Sequence, residues 1–406
     1  MLSLWLAGWA YAADWPMLQG AERADAPPLR VWGFAQVVGE GLIAAKPVTG
    51  LMSEGLLPYE GEVPVYNRIG DGEATWGLTV RRARLGVRGA VPKTDGKLGY
   101  LMAAEFGTNG LTRESPVVLT DASVSIGYIP GVRLRVGKFK LPVGEEALEM
   151  NPAAAQFVNI TPTTAQLLGE NRVVDGAYVG GFSGYRDLAV QAFNTFDVGE
   201  TALSYALALS NGAWAAWDDD NAKDVTGRVA FVPWRAEPDD HGVRAEEVRL
   251  WAFWQQGRRT FEDASYARVR RGGGVSVNAA GVQARIEVVQ GSGMIELAQQ
   301  PPFRGAPVVV APEGEAIGGN AAVTYRRGMF AGGLRYDGLW RRYDAAPDLR
   351  VFHTATANVT VEPDPHVRVM LDYDLRLLDA PQGSGDAQTL GRALSDRLSV
   401  QVTALF

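Results

Sequence analysis

Arginine at alternate positions is the feature of this sequence with the clearest chemistry. Arg82, Arg84 and Arg88 fall on one face of an extended chain, and Arg133 and Arg135 repeat the spacing. Side chains two apart in a strand point the same way, about 7 Å from one another. Guanidinium is a fixed cation with forked donors suited to phosphate or carboxylate. The spacing therefore predicts rows of permanent positive charge that can bind or guide small anions. Glu105 and Asp121 fall on the same side of neighbouring segments, where each could orient an arginine or form a plain ion pair. Lys138 and Lys140 have the opposite parity to Arg133 and Arg135, and a bulge at Gly137 is expected to turn them to the same side. A second group is acidic: Glu145, Glu146, Glu149, Glu170 and Asp175, with Arg172 among them.

Catalysis finds little support. Cysteine is absent, and only His241, His353 and His366 could serve as the usual general base, with no serine or carboxylate partner suggested by the pattern. No metal-ligand spacing, phosphate-cradling glycine loop or nucleic-acid-binding segment stands out, and Gly272-Gly273-Gly274 after Arg270-Arg271 reads as a loop tip. No enzyme, cofactor or nucleic acid is expected.

The arginine rows need strands to carry them, and those strands need two different solvents. Between Arg82, Arg84 and Arg88 stand Ala83, Leu85 and Val87, so one face is charged and the other apolar. The same period-2 alternation recurs along most of the 406 residues, while no uninterrupted apolar run is long enough for a spanning helix. It ends on Leu398-Ser399-Val400-Gln401-Val402-Thr403-Ala404-Leu405-Phe406. In hydrocarbon every backbone polar group must be paired, so such strands must close. We expect an all-β protein: a transmembrane antiparallel β-barrel of about sixteen strands, with segments at 29–38, 98–106, 119–128, 132–136, 248–255, 282–290 and 294–299 among them. Short links alternate with longer ones, the asymmetry of the outer membrane. Trp76, Tyr100, Tyr128, Trp234 and Trp340 suit interfacial girdles. Phe406 is read as the assembly signal of the closing strand. Residues 1–12, ending Ala10-Tyr11-Ala12, read as a shortened signal peptide. Residues 13–28 would be a periplasmic segment, and 29–406 a single barrel domain.

Four stretches resemble the phosphate-selective porin (porin O and P) family of Gram-negative outer membranes. They are Arg81-Arg82-Ala83-Arg84-Leu85-Gly86-Val87-Arg88-Gly89, Leu134-Arg135-Val136-Gly137-Lys138-Phe139-Lys140-Leu141-Pro142-Val143-Gly144, Leu203-Ser204-Tyr205-Ala206-Leu207-Ala208-Leu209-Ser210-Asn211-Gly212 and Val367-Arg368-Val369-Met370-Leu371-Asp372-Tyr373. The resemblance implies a homotrimeric sixteen-stranded porin in outer-membrane lipid, inserted by the barrel-assembly machinery, whose constriction loop, 141–185, folds into the lumen. Its implied cargo is small anions such as phosphate, although the chain has six lysines where phosphate-specific members are lysine-rich. Net charge is −7, yet parity puts mainly arginine on the inner wall and carboxylates on the loop. An acidic loop folded against a basic wall would create a transverse field across the eyelet. The alternative is a structural or lipid-binding barrel that the loop plugs.

Overall fold

The protein is described by a computed structural model over residues 26–44, 74–112, 115–149, 155–171, 185–212, 221–236, 246–297 and 308–406, with Glu22, Ile69 and short stretches at 48–52, 58–62, 173–174 and 177–178. Residues 1–12, Arg172, Asp175 and His241 lie outside the described residues.

Sixteen strands form one closed antiparallel barrel in which each strand pairs with its neighbours in the chain. They are β1 (Arg30–Ile43), β2 (Trp76–Ala90), β3 (Leu98–Glu105), β4 (Val118–Ile129), β5 (Val132–Lys140), β6 (Arg186–Val198), β7 (Thr201–Ser210) and β8 (Asp224–Arg235), followed by β9 (Glu247–Phe261), β10 (Ala264–Ala279), β11 (Val282–Ser292), β12 (Glu315–Arg327), β13 (Phe330–Arg341), β14 (Arg350–Asp364), β15 (Val367–Asp379) and β16 (Asp396–Leu405). The alternation sets the register. Leu85, Val136, Leu207, Ile286, Leu371 and Val400 are exposed on the outside, while Gln36, Ser204, Thr226, Thr356 and Thr403 are buried inside. A one-residue slip would exchange these faces. Trp76, Tyr128, Trp234 and Trp340 are exposed on the outer surface.

β1 closes on β16, with Phe34 opposite Leu405. Phe406 extends the seam: its N–H donates to Gly33 O at 3.0 Å and its carbonyl accepts from Gly33 N at 2.9 Å. Its ring lies where a Cβ on Gly33 would stand, 2.3 Å from that position, so glycine is what lets the terminal aromatic lie flat on the wall.

The count of sixteen strands hides two compensating differences from the sequence expectation. Residues 264–279, including Gly272-Gly273-Gly274, are the long strand β10 and not a loop tip. Its inner glycines make room for aromatic rings, since a Cβ on Gly272 would meet Phe253 and one on Gly274 would meet Trp251. Conversely, the strand expected at 294–299 is not a barrel strand over its described residues 294–297: Ile295–Glu296 pairs with Val310–Ala311 in a small separate sheet. The rim asymmetry survives the change. One rim has the links 91–97, 130–131, 199–200, 236–246, 280–281, 328–329 and 365–366; the other has mainly long loops, with one exception at 262–263. There Glu262 and Asp263 both take positive φ, the geometry of a two-residue hairpin turn.

Candidate functional site

The segment after β5 enters the barrel and crosses it. It begins with a five-residue helix, α1 (Glu145–Glu149), whose first residues are fixed by the wall: Glu287 on β11 accepts from the backbone N–H of Glu145 at 2.6 Å and of Glu146 at 3.2 Å. Glu145 is paired with both Arg228 of β8 and Arg249 of β9. Burial alone would raise the Glu145 carboxyl, but the two guanidinium groups outweigh it and hold it below the ordinary value. Glu146 accepts from the hydroxyls of Thr161 and Thr164 and lies 3.4 Å from Arg335 of β13. Glu149 meets Arg285 of β11 at 2.7 Å, yet burial pushes its carboxyl up, to about 7. Lys140 closes the other end of α1, donating to the carbonyls of Ala147 and Leu148 at 2.9 and 3.0 Å.

Farther along, Val158 N donates to Asp372 of β15 at 2.7 Å and Asn159 donates to Ser399 of β16 at 2.9 Å. Arg81, displaced inward by a register shift between Gln36 and Val37, donates to Asn159 at 2.9 Å from the opposite side. The chain then returns past β13, β10 and β9. Arg341 donates to Gln166 at 3.1 Å, Arg270 to Leu167 O at 2.6 Å, and Arg259 and Arg268 hold Glu170. Burial raises Glu170, but those arginines bring its carboxyl down to about 2. Between loop and wall lies an apolar core with Leu141, Val143, Ala147, Leu167 and Leu168 from the loop, and Phe253, Val289, Leu339, Phe352 and Leu378 from the wall.

The β1–β6 side is built differently. Arg82 stands opposite the buried Gln36, and Arg133 opposite the buried Phe193, so both point inward. Among the described residues neither has a carboxylate within ion-pair distance. Arg135 donates from Nε to Ser123 Oγ at 3.0 Å and stacks its guanidinium 4.4 Å from the centre of the Phe139 ring, with Nη2 left unpartnered. Arg84 is used by Glu105, which it meets at 2.9 and 3.1 Å. The other Glu105 oxygen takes the backbone N–H groups of Ala83 and Gly107, so this buried carboxylate is fully occupied. Asp121 lies 3.3 Å from Arg186, and Arg88 is paired with Glu22.

One expectation about this site changes. Lys138 does not turn inward: the ladder runs through Gly137 without a bulge, and Lys138 pairs with Ala122 and with the outward Leu188. Gly137 takes a φ of 129° so that its backbone can approach Ala122 O, which a Cβ would meet at 2.1 Å. The acidic loop is folded against the basic wall, with its carboxylates docked directly on arginines of β8, β9, β10, β11 and β13.

Arg249, Arg259, Arg268 and Arg270 escaped the sequence reading. Arg249 shares its face with Trp251 and Phe253, which hides the polar alternation, and Arg268 and Arg270 lie in the strand read as a loop. Arg81 could be found only through the bulge that turns it.

Residues 62–156 match the sequence profile of the phosphate-selective porin O and P family. The chain is an outer-membrane β-barrel with the fold of the porins. It shares that fold with an anion-selective porin from Comamonas acidovorans, at 12% identity over 94% of this chain and 100% of that one, with a TM-score of 0.58. OmpF of Salmonella typhi, in complex with daunomycin, aligns at 13% identity over 93% and 97% with a TM-score of 0.59. The outer membrane channel DcaP of Acinetobacter baumannii aligns at 12% over 95% and 99% with a TM-score of 0.54. No curated protein matches the chain by sequence.

Proposed function

We propose that this porin conducts small hydrophilic solutes with a preference for anions, phosphate among them, along the β1–β6 wall. Residues 141–185 act as its constriction loop. One observation carries the reading: the loop carboxylates are spent on β8, β9, β10, β11 and β13, while Arg82, Arg133 and Arg135 on the other side have no carboxylate partner among the described residues. A passing solute would then meet net positive charge despite the chain's −7. An inner-wall charge acts on a nearby ion with an energy on the order of 1 kcal/mol in water, enough to bias permeation several-fold without trapping the ion. The family match and the anion-selective relative support the same reading.

A plugged, non-conducting barrel has one observation in its favour, the apolar core between loop and wall. Recordings of the purified porin in a planar bilayer separate the two. A stable open level whose chloride current is reduced by millimolar phosphate is the expected result; the absence of unitary events would favour the plug. An open channel indifferent to phosphate, pyrophosphate and dicarboxylates would remove the anion site but leave the channel.

A further inference from the structure

The short-link rim carries a charge arrangement that conduction along the β1–β6 wall does not require. Arg30 of β1 and Arg88 of β2 are directly opposite one another in the ladder, on the inner face. Like charges in a direct cross-strand pair repel. Glu22 lies between them: its Oε1 accepts from Arg88 Nε, and its Oε2 is 3.5 Å from Arg30 Nη2. Its side chain is only 3% exposed. The chain leading from it is seated on the rim by backbone contacts, with Ala90 N donating to Pro27 O at 3.3 Å and Tyr100 OH to Pro28 O at 2.8 Å. Gly89 makes the seat possible, because a Cβ there would stand 2.1 Å from Pro28 O.

We propose that the Arg30–Arg88 pair is a binding site for small oxyanions, carboxylate or phosphate, which the porin keeps occupied with its own Glu22. The site lies on the strand that carries Arg82 and Arg84, four residues beyond Arg84 toward the short-link rim. An anion moving along that strand meets it next and must displace Glu22 to use it. Two facing guanidinium groups offer forked donors to one anion, and the resident carboxylate shows that the position accepts such a group. Glu22 thus acts as a tethered competitor that lowers the affinity of this exit for permeating anions. The proposal rests on the anion-preferring reading above.

The test uses the full chain in planar bilayers, with chloride as the current carrier and inorganic phosphate or succinate added to one side at a time. Glu22→Gln should lower the half-blocking concentration of either probe several-fold from the short-link side and by less from the loop side, from which the anion must first pass the constriction. Adding Arg88→Ala to Glu22→Gln should abolish the gain. Equal block of Glu22→Gln and the unchanged porin from both sides would overturn the proposal. A readout on the unaltered porin guards against a variant that does not assemble: phosphate at constant ionic strength should accelerate trypsin cleavage after Arg23 as Glu22 is displaced, and an unchanged rate would count against the site. The two readings fail separately. A porin that prefers cations refutes the anion reading, whereas one that prefers anions but ignores Glu22→Gln refutes only this inference.

Discussion

The two halves of the lumen solve the problem of an interior charge in opposite ways. On β8–β13 the loop covers a group of arginines that its carboxylates match, Arg228 and Arg249 by Glu145, Arg259 by Glu170, and Arg285 by Glu149, while Arg270 and Arg341 donate to oxygens of the loop and of the link beside it. On β2 and β5 the arginines stand on a wall that the loop touches mainly through Arg81 and Lys140. A buried charge needs a partner because desolvation is costly, and Arg135, only 1% exposed, is capped by Ser123 and the Phe139 ring, whereas Arg82 and Arg133 are only partly buried and can act on solutes while unmatched. The difference separates arginines that hold the loop from arginines that can act on a solute.

The largest expected effect comes from breaking the matched half. Glu145→Ala leaves Arg228 as a buried cation without its carboxylate and Arg249 with Glu247 alone, a change that costs about 3–5 kcal/mol when a buried pair is broken. We expect the loop to leave the wall, with larger and noisier unitary currents and a lower unfolding temperature. The same current level as the unaltered porin would mean that these pairs do not hold the loop.

The contrast also explains what was legible in the sequence. Alternation reports a strand with lipid on one side and water on the other, and it is clean in β2, with Arg82 and Arg84 against Ala83 and Leu85. It fades where the loop keeps the inside dry. The inner face of β9 carries Trp251 and Phe253, and that of β10 carries Gly272 and Gly274 beneath their rings. The three glycines therefore break the period-2 signature of 264–279 into two short pieces, 267–270 and 275–278, while Ile295, fully buried in the loop core, suggested a strand that the barrel does not contain. The inward rows Arg82, Arg84, Arg88 and Arg133, Arg135 were readable from spacing alone. Glu105, the partner of Arg84, was readable in the same way, but Glu22 on Arg88 and Arg186 on Asp121 were not, because they lie far away in sequence or at a strand end, where parity carries little information.

A smaller loss tests the face assignment on the open side. Leu85→Arg places a charge on the exposed outer face and should destabilise the barrel by roughly 2–4 kcal/mol if it lies near the bilayer midplane. Arg133→Leu, at a position that points inward, breaks no ion pair among the described residues and should assemble and change conductance. Equal folding yields in detergent and lipid would mean that the register is wrong. Deleting Phe406 should slow assembly at the seam, since it removes both backbone bonds to Gly33, and surface yield in cells is the readout.

The smallest expected effect is a pH dependence confined to the loop. The Glu149 carboxyl lies near 7, above its ordinary value, so the folded porin takes up a proton there that the unfolded chain does not hold between about pH 4.5 and 7. This contribution to stability is present at low pH and declines as pH rises through that window. Glu149→Gln should therefore gain in unfolding temperature over the unaltered porin at pH 8 and lose that gain at pH 5. Glu170, held near 2, should contribute no change across the same range, so Glu170→Gln should show a pH-independent difference.

The most direct measurement is the reversal potential in a potassium chloride gradient, taken for the porin and for the combined Arg82→Ala, Arg133→Ala, Arg135→Ala variant. The unmatched arginines should give the porin a chloride preference that falls several-fold in the variant, with channels still open and with a difference that shrinks as salt is raised. A reversal potential that stays the same after all three substitutions would contradict the account, because the charges left unmatched on the β1–β6 wall would then not be the ones that a permeating ion meets.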